Sequence, residues 1–297
     1  MSNALGVIFY LGSYLIVPTA AVLLYPTGML EGWFIIASFF GSVLFSQLIS
    51  RFWPGNFFHE SQGAVLRQIP VFLLAGALTH WAIRGAALYL AWWISGALIF
   101  SVAEDVNSLP PLVHILVAVL IYEGVGFVQH WLFHAVPWLW THVHSVHHEL
   151  REFGPSLALR VHFFEYFVAQ LTRVLALNVL GFDSRVIVAV IAWEAWAGGM
   201  IHSNCRIRFG WINFFLATPE THLWHHAIGT RANYSFGVLS IFDVLAQTLV
   251  LSPGRVPEVI GVPKMQRPRN LLEILSFCGV RTSQTPSGVE ADRVKRS

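Results

Sequence analysis

Histidine is the residue type whose number and spacing in this sequence could support chemistry. The chain contains 14 histidines, nearly as many as its 16 Asp and Glu residues together. Eight of them form three short motifs with the spacings HxxxH, HxxHH and HxxHH: His130 and His134; His144, His147 and His148; and His222, His225 and His226. Residues three or four apart lie on one face of a helix. Each motif is therefore predicted to project its imidazoles from one helical face.

Metal binding explains these motifs better than packing does. Each buried imidazole brings polar nitrogens that need partners, and one metal ion satisfies several of them. Neutral imidazole suits iron, zinc, copper or nickel. Together with His202, which lies between the second and third motifs, the set has nine members, more than one tetrahedral zinc ion can use. The sequence favours an all-histidine site for two metal ions; one zinc ion with structural histidines is the alternative.

The composition indicates that lipid surrounds much of the chain. Hydrophobic residues make up 55% of the sequence and charged residues only 11%, against about 25% charged in soluble domains. The 12 tryptophans suit side chains at a bilayer interface. The basic residues are scattered and form no stripe of the kind that binds nucleic acid. Two cysteines, Cys205 and Cys278, provide neither a disulfide framework nor a thiolate metal site.

Apolar stretches predict the helices that position the motifs. Crossing a hydrocarbon core takes roughly 20 apolar residues, and four stretches before the first motif approach or exceed this length: about Leu5–Tyr25, Trp33–Ile49, Ile69–Phe100 and Leu112–Val128. Two further stretches, Phe163–Leu180 and Val186–Ile201, are joined by a short turn and predict a helical hairpin. The run Ser235–Leu251 contains Asp243 and Gln247 and is expected to be interfacial or packed on the histidine-containing part.

We therefore expect an all-α integral membrane protein, a multi-span helical bundle capped by a cytosolic helical domain rich in histidine that holds two metal ions. Residues 1–128 would carry about four spans. Residues 129–252 would form the catalytic domain, including the hydrophobic hairpin 163–201, and residues 253–297 a cytosolic tail that is partly disordered. At the third motif, Thr218 is a natural N-cap and Pro219 a natural first residue of a helix.

Loop charges predict the orientation of the bundle. The loops Pro26–Gly32 and Ser101–Pro110 contain no Lys or Arg, whereas the loop between the second and third stretches carries Arg51 and Arg67. The polar segments around and after the histidine motifs also carry arginines. Positively charged loops stay on the cytoplasmic side. The N-terminus, the histidine motifs and the C-terminus are therefore expected on the cytoplasmic side of the membrane.

The order of the motifs resembles the fatty acid hydroxylase / sterol desaturase superfamily, the histidine-box membrane di-iron oxygenases. HxxxH, HxxHH, His-Ser-Asn and TPxxHxxHH followed by Asn-Tyr occur in that order between about Tyr122 and Thr248. The resemblance implies two iron ions, with zinc as a possible occupant of the purified protein. It also implies ligand roles for nine residues: His130, His134, His144, His147, His148, His202, His222, His225 and His226.

The resemblance also points to polar residues that would assist catalysis. Glu123 lies seven residues before His130, where family members carry an acidic residue. His162 and Glu165 belong to a segment similar to the family's R-x-H-x-x-E. Asn233 corresponds to its Asn-Tyr pair, and Asp243 corresponds to its late Asp. His162 could be a ligand, but a position behind the ligands is favoured because it has no helical partner histidine.

The implied function is hydroxylation or desaturation of a lipid: a fatty acyl group, a sterol or hopanoid, or a polar lipid. The reaction would use O2 and electrons from an external reductase, ferredoxin or cytochrome, because the sequence shows no haem or flavin motif. A membrane zinc-dependent hydrolase is the alternative, although the HExxH motif is absent. A metal transporter would carry its histidines inside the spans, whereas the motifs here follow them.

Overall fold

The computed structural model describes residues 2–29, 31–55, 58, 84–97, 108–229 and 234–282. Helices are the regular elements of this part of the chain; it contains isolated β-bridges but no sheet. The helices named below are α1 Asn3–Tyr14, α2 Ile16–Leu24, α3 Gly32–Phe52, α4 Arg84–Ala97, α5 Pro111–Ala135, α6 Ser145–His148, α7 Phe163–Val179, α8 Ser184–Ile201, α9 Pro219–His225, α10 Ile241–Ala246 and α11 Leu271–Leu275. The all-α expectation is confirmed.

Four helical segments within the described ranges are long and apolar enough to cross a membrane: Asn3–Thr27, Gly32–Phe52, Pro111–Ala135 and Ser184–Ile201. The first joins α1 and α2, and the others are α3, α5 and α8. The protein is therefore a membrane protein with a helical bundle. Most of the predicted stretch Ile69–Phe100 lies outside the described residues, and α4 is the part of it that the structure describes.

Helix α8 lies at the centre of the bundle and packs closely on α3. Ser38, Ser42 and Ser46 follow one another at intervals of four and form a buried stripe of small side chains on α3. Such residues let two helix backbones approach each other. Gly199 of α8 lies at the contact, because a Cβ there would be 2.1 Å from the Ser42 hydroxyl oxygen. This contact fixes the end of α8, where His202 follows.

The other histidine motifs lie at the same end of the bundle. Helix α5 continues from its apolar part to His130 and His134, and α7 and α8 are helices where the stretches Phe163–Leu180 and Val186–Ile201 predict them. The third motif begins at a capped helix start: the Thr218 hydroxyl accepts a hydrogen bond from the backbone N–H of Glu220, and Pro219 is the first residue of α9. This confirms the predicted start of the helix.

The run Ser235–Leu251 contains one short helix, α10. Its Phe242 stacks on Phe127 of α5, with ring centroids 6.1 Å apart. This helix is too short to cross a membrane. The run packs against the bundle, as the charged Asp243 and polar Gln247 predict. Beyond it, the chain returns to the second histidine motif, where the Val280 backbone N–H donates to the Thr141 carbonyl.

The contact between α3 and α8 predicts a difference between two neighbouring glycines. Gly199→Leu should lower the midpoint of thermal unfolding in detergent, because overpacking a tight contact costs about 1–3 kcal/mol. Gly198→Leu is the matched control, since a Cβ at Gly198 meets no atom within 4 Å. Equal unfolding temperatures for the two variants would show that the contact does not limit stability.

Candidate metal centre

The nine histidines that the motifs predict come together in two adjacent groups. The first group has five members: His130, His134, His144, His148 and His225. The second has four: His147, His202, His222 and His226. Within each group, one ring nitrogen from each residue lies within 4.8 Å of the others. Each group could hold one metal ion.

The two HxxHH motifs each contribute to both groups. In the second motif, His144 and His148 belong to the first group and His147 to the second. In the third motif the order is reversed, because His222 and His226 belong to the second group and His225 to the first. The rings meet closely across the motifs, with centroids 4.7 Å apart for His148 and His225. The i and i+4 residues thus share one group, and the i+3 residue joins the other.

Hydrogen bonds behind the rings fix which nitrogen faces inward. Backbone carbonyls contact the Nδ1 atoms of several rings: Phe236 with His130 at 2.7 Å, Tyr234 with His225 at 2.9 Å, Gly198 with His202 at 2.6 Å and Arg160 with His147 at 3.3 Å. A carbonyl only accepts, so Nδ1 must carry the proton in each case. The Nε2 atom of each neutral ring is then left with a lone pair. This arrangement orients imidazoles for metal binding.

Glu165 does the same for His144. Its Oε1 atom lies 2.7 Å from His144 Nδ1, so the carboxylate accepts a hydrogen bond from the Nδ1–H group. The His130 and His144 Nε2 atoms are 3.1 Å apart, and both carry lone pairs. Two lone pairs at this distance repel each other unless a cation lies between them. His225 Nε2 is also buried without a hydrogen-bond partner. The donor set therefore fits a metal ion.

Burial keeps these rings neutral. Desolvation and, next, the neighbouring imidazole of His144 lower the pKa of His225 to about 3. Burial, followed by the neighbouring histidines, also lowers the pKa values of His147, His148, His222 and His226. A lowered pKa means that the ring loses its proton more readily. The lone pairs are therefore available at neutral pH.

Asp243 contacts the loop behind His130 and not the ring itself. Its carboxylate accepts hydrogen bonds from the Phe236 and Gly237 backbone N–H groups at 2.9 and 2.8 Å and from the Thr248 hydroxyl at 2.7 Å. The loop that it holds contains the carbonyl of Phe236, which contacts His130. Asp243 thus positions a histidine through the backbone and does not touch a ring.

Two further predicted site residues, His162 and Glu123, lie outside both groups. His162 caps α7, where its Nδ1 accepts from the Phe164 backbone N–H, and its Nε2 lies 2.8 Å from the Ile274 carbonyl. Neither nitrogen makes a hydrogen bond to a histidine of the two groups, and the position of His162 behind the ligands stays a prediction. Glu123 is buried in α5 and its Oε1 has no hydrogen-bond partner. Asn233 lies outside the described residues.

One supporting network was not apparent from the motifs. Glu149 directly follows the second motif, is fully buried, and pairs with Arg160 and with Arg269, the latter at 3.0 Å. Arg269 also donates to the Ser145 hydroxyl at 2.7 Å. These contacts attach the segment before α11 to the helix that carries the second motif. The sequence shows the acidic residue beside the motif. It does not show its two arginine partners, which are 11 and 120 residues away.

Comparisons with known proteins agree with this site. Residues 115–248 match the model of the fatty acid hydroxylase family. The matched part of the chain confirms the resemblance that the motifs indicate. It contains all nine histidines of the two groups and Glu165.

Two characterised relatives extend the comparison. Over 155 residues the chain is 26% identical to ornithine lipid hydroxylase OlsE of Rhizobium tropici, covering 52% of this chain and 46% of that protein. Over 87 residues it is 34% identical to cholesterol 25-hydroxylase of Rattus norvegicus, covering 29% and 25%. The matched parts thus span less than half the length of either relative. No solved structure matches the chain significantly.

The hydrogen bond between Glu165 and His144 predicts an effect on metal affinity. Glu165→Gln should weaken metal binding about 10- to 100-fold, as the loss of partners behind metal-bound histidines generally does. Competition with a chelator in detergent measures this affinity. Glu258→Gln, which removes an exposed carboxylate, is the control and should bind as the wild type. Unchanged affinity in Glu165→Gln would mean that the hydrogen bond does not orient His144 for metal.

Proposed function

We propose that the protein is a membrane di-iron oxygenase that hydroxylates a lipid with O2 and electrons from an external donor. The observation that supports this most strongly is the division of nine buried histidines into two adjacent groups of five and four. Two ions held side by side suit the two-electron activation of dioxygen. The family match and the two hydroxylase relatives point to the same reaction class.

Iron is proposed because of the number and type of the donors. Neutral imidazole is a ligand for iron as well as for zinc, but zinc in proteins is almost always four-coordinate when structural and keeps only three protein ligands when catalytic. A group of five imidazoles, such as that around His134, exceeds both numbers. Among the described residues, no cysteine contributes to either group, so no thiolate favours zinc. Zinc could still occupy the purified protein in part.

Ferrous ions bound by these histidines would supply two electrons to dioxygen and generate an oxidant able to remove hydrogen from an unactivated carbon. The balanced reaction consumes a substrate C–H bond, O2, two electrons and two protons, and yields the alcohol and water. Two electrons must come from a separate reductase, ferredoxin or cytochrome. Both relatives are named as hydroxylases, which favours an alcohol over an alkene as the product.

The residues of the chain orient the imidazoles, exclude water from the site and determine which ring nitrogen carries the proton. The carbonyls of Phe236, Tyr234 and Gly198 hold the Nδ1 protons of their partner rings. Glu165 holds that of His144. Rings held in this way would keep their Nε2 atoms oriented toward a bound metal ion. Because both groups are largely buried, bulk water has little access to a reactive oxidant.

A lipid substrate is proposed from the location of the site. His130 and His134 lie in the last two turns of α5, which is one of the four candidate spans, and His202 directly follows another. A molecule dissolved in the bilayer can therefore reach the histidines without crossing water. The charge pattern of the loops supports a cytoplasmic position for this end of the bundle, where soluble electron donors are available.

Metal content and lipid products test the proposal together. Protein purified after growth with iron-57 should contain about two irons per chain with a coupled Mössbauer signal, and cells expressing it should accumulate a lipid heavier by one oxygen atom. His147→Ala and His148→Ala remove one donor from each group, and both should lower iron content and abolish the product.

His142→Ala is the matched control. His142 stacks on Trp138 and belongs to neither group, so this variant should keep iron and activity. One stoichiometric zinc in protein produced with abundant iron, without any oxidised lipid, would contradict the oxygenase and favour a zinc hydrolase.

A further inference from the structure

Three arginines from two separate segments line one cleft at the end of the bundle that carries the histidine groups. The cleft has a volume of about 90 Å³, and Arg206, Arg208 and Arg255 are among its lining residues. All three residues are exposed, whereas Ile207 between the first two is buried. The segment is not helical and exposure alternates along it, so Arg206 and Arg208 leave the same side of the chain. The cleft therefore collects three accessible positive charges.

The three arginines have no counter-charge within the protein. None of them forms an ion pair with a carboxylate among the residues that the structure describes. Glu220 also lines the cleft, but its Oε2 accepts hydrogen bonds from the Phe209 backbone N–H and from Asn213 Nδ2, both at 3.0 Å. Its Oε1 accepts from the Gly254 backbone N–H at 3.4 Å. This carboxylate thus joins the two segments that carry the arginines.

Gly254 makes room for one of the guanidinium groups. Its φ is +69°, in the left-handed region that favours glycine. A Cβ at this position would lie 2.8 Å from Arg208 Nη2 and 3.0 Å from Arg208 Cζ. The Arg208 side chain therefore packs directly against the backbone of the loop that carries Arg255. The position of the guanidinium in the cleft depends on this close approach.

Two observations indicate that the cleft lies at the level of the lipid headgroups. Asn3 is the first residue of the candidate span Asn3–Thr27. Its Nδ2 donates to the Arg208 carbonyl at 2.9 Å, and its Oδ1 accepts from the Arg208 backbone N–H at 2.7 Å. Just beyond Arg208, the aromatic residues Trp211 and Phe215 are exposed, Trp211 to 71%. Exposed aromatic rings beside a span are typical of the boundary between lipid and water.

We propose that the cleft binds the headgroup of an anionic phospholipid from the adjacent leaflet. A guanidinium presents a fork of N–H donors that matches a phosphate group, and basic residues at a membrane surface attract anionic lipids. A water molecule takes up about 30 Å³ in the liquid, so the cleft has room for a phosphate group but not for an acyl chain. The chains of the bound lipid would remain in the bilayer.

The cleft is distinct from the candidate metal centre. Among the described residues that line it, none is a histidine of the two groups. Phe153 lines the cleft and contacts the His202 ring, with centroids 5.8 Å apart. A headgroup in the cleft would thus bind beside the second histidine group without touching its rings. The inference therefore goes beyond the proposed oxygenase reaction and does not depend on it.

Two lipids that differ in headgroup charge test the binding step. Dioleoyl phosphatidylglycerol and dioleoyl phosphatidylcholine have the same chains and one phosphate each, but the choline cation makes the second lipid neutral. Dissociation constants for the full-length protein in a neutral detergent can be measured by native mass spectrometry. The wild type should bind phosphatidylglycerol about tenfold more tightly, because the choline cation is repelled by the arginines.

Arg208→Gln and Arg255→Gln test the charges of the cleft. Each should weaken phosphatidylglycerol binding about fivefold, the contribution expected of one basic residue near an anionic headgroup. Arg51→Gln is the matched control. Arg51 is also exposed and lies in the last turn of α3, at the same end of the bundle, but it does not line the cleft. This variant should bind the lipid as the wild type does.

Gly254→Ala tests the shape of the cleft without changing its charge. The added Cβ should displace the Arg208 guanidinium and weaken phosphatidylglycerol binding by about as much as Arg208→Gln does. Gly28→Ala controls for the strain of a left-handed backbone, because Gly28 has a φ of +72° and a Cβ there meets no atom within 4 Å. It should bind as the wild type. Equal unfolding temperatures for the two glycine variants would show that Gly254→Ala is folded.

Three results would overturn the inference. Equal affinities for the two lipids, or an equal loss in Arg51→Gln and Arg208→Gln, would mean that the arginines act only as diffuse charge. Displacement of the lipid by an equal concentration of inorganic phosphate would indicate a site for a soluble anion. Unchanged lipid binding in both cleft variants, with slower reduction by an acidic ferredoxin, would assign the cleft to an electron donor. Metal content and lipid products test the oxygenase separately.

Discussion

The lone pairs of neutral imidazoles converge in a space from which water is largely excluded. These lone pairs repel one another, and the repulsion must be relieved for the helices to assemble as they do. The contact between His130 Nε2 and His144 Nε2, at 3.1 Å, shows the constraint most clearly. Both rings place their protons on the opposite nitrogen, so both Nε2 atoms carry lone pairs. A cation relieves the repulsion for several rings at once. The helix termini, the loop held by Asp243 and the cap at Thr218 all serve to bring donors to this space.

The membrane helices and the metal centre depend on each other. The donors come from segments far apart in sequence, because α5 carries the first motif, α8 ends beside His202 and α9 carries the third motif. The close packing of α3 on α8 at Gly199 and Ser42 determines where α8 ends. Conversely, metal binding would join the ends of these helices through shared ligands. The segment around Arg269 closes this end through the buried carboxylate of Glu149.

Much of this arrangement could be predicted from the sequence, because its signals are local. Apolar length indicates spans, Thr218 and Pro219 indicate a helix start, and the spacing of the motifs indicates imidazoles on one helical face. The distribution of each HxxHH motif over two groups could not be predicted, since it depends on how α6 and α9 face each other. The same is true of Glu149, whose two arginine partners are distant in sequence. Glu123 matched the family pattern, yet Glu165 makes the hydrogen bond to a ring.

X-ray absorption spectroscopy of the purified protein at the iron edge tests the two-metal, all-histidine centre most directly. The predicted result is a first shell of nitrogen and oxygen atoms without sulfur, outer-shell scattering typical of four to five imidazoles per iron, and a second iron as a neighbour. Iron without imidazole scattering, or one isolated metal ion per chain, would contradict a centre built from the five and four histidines that the structure brings together.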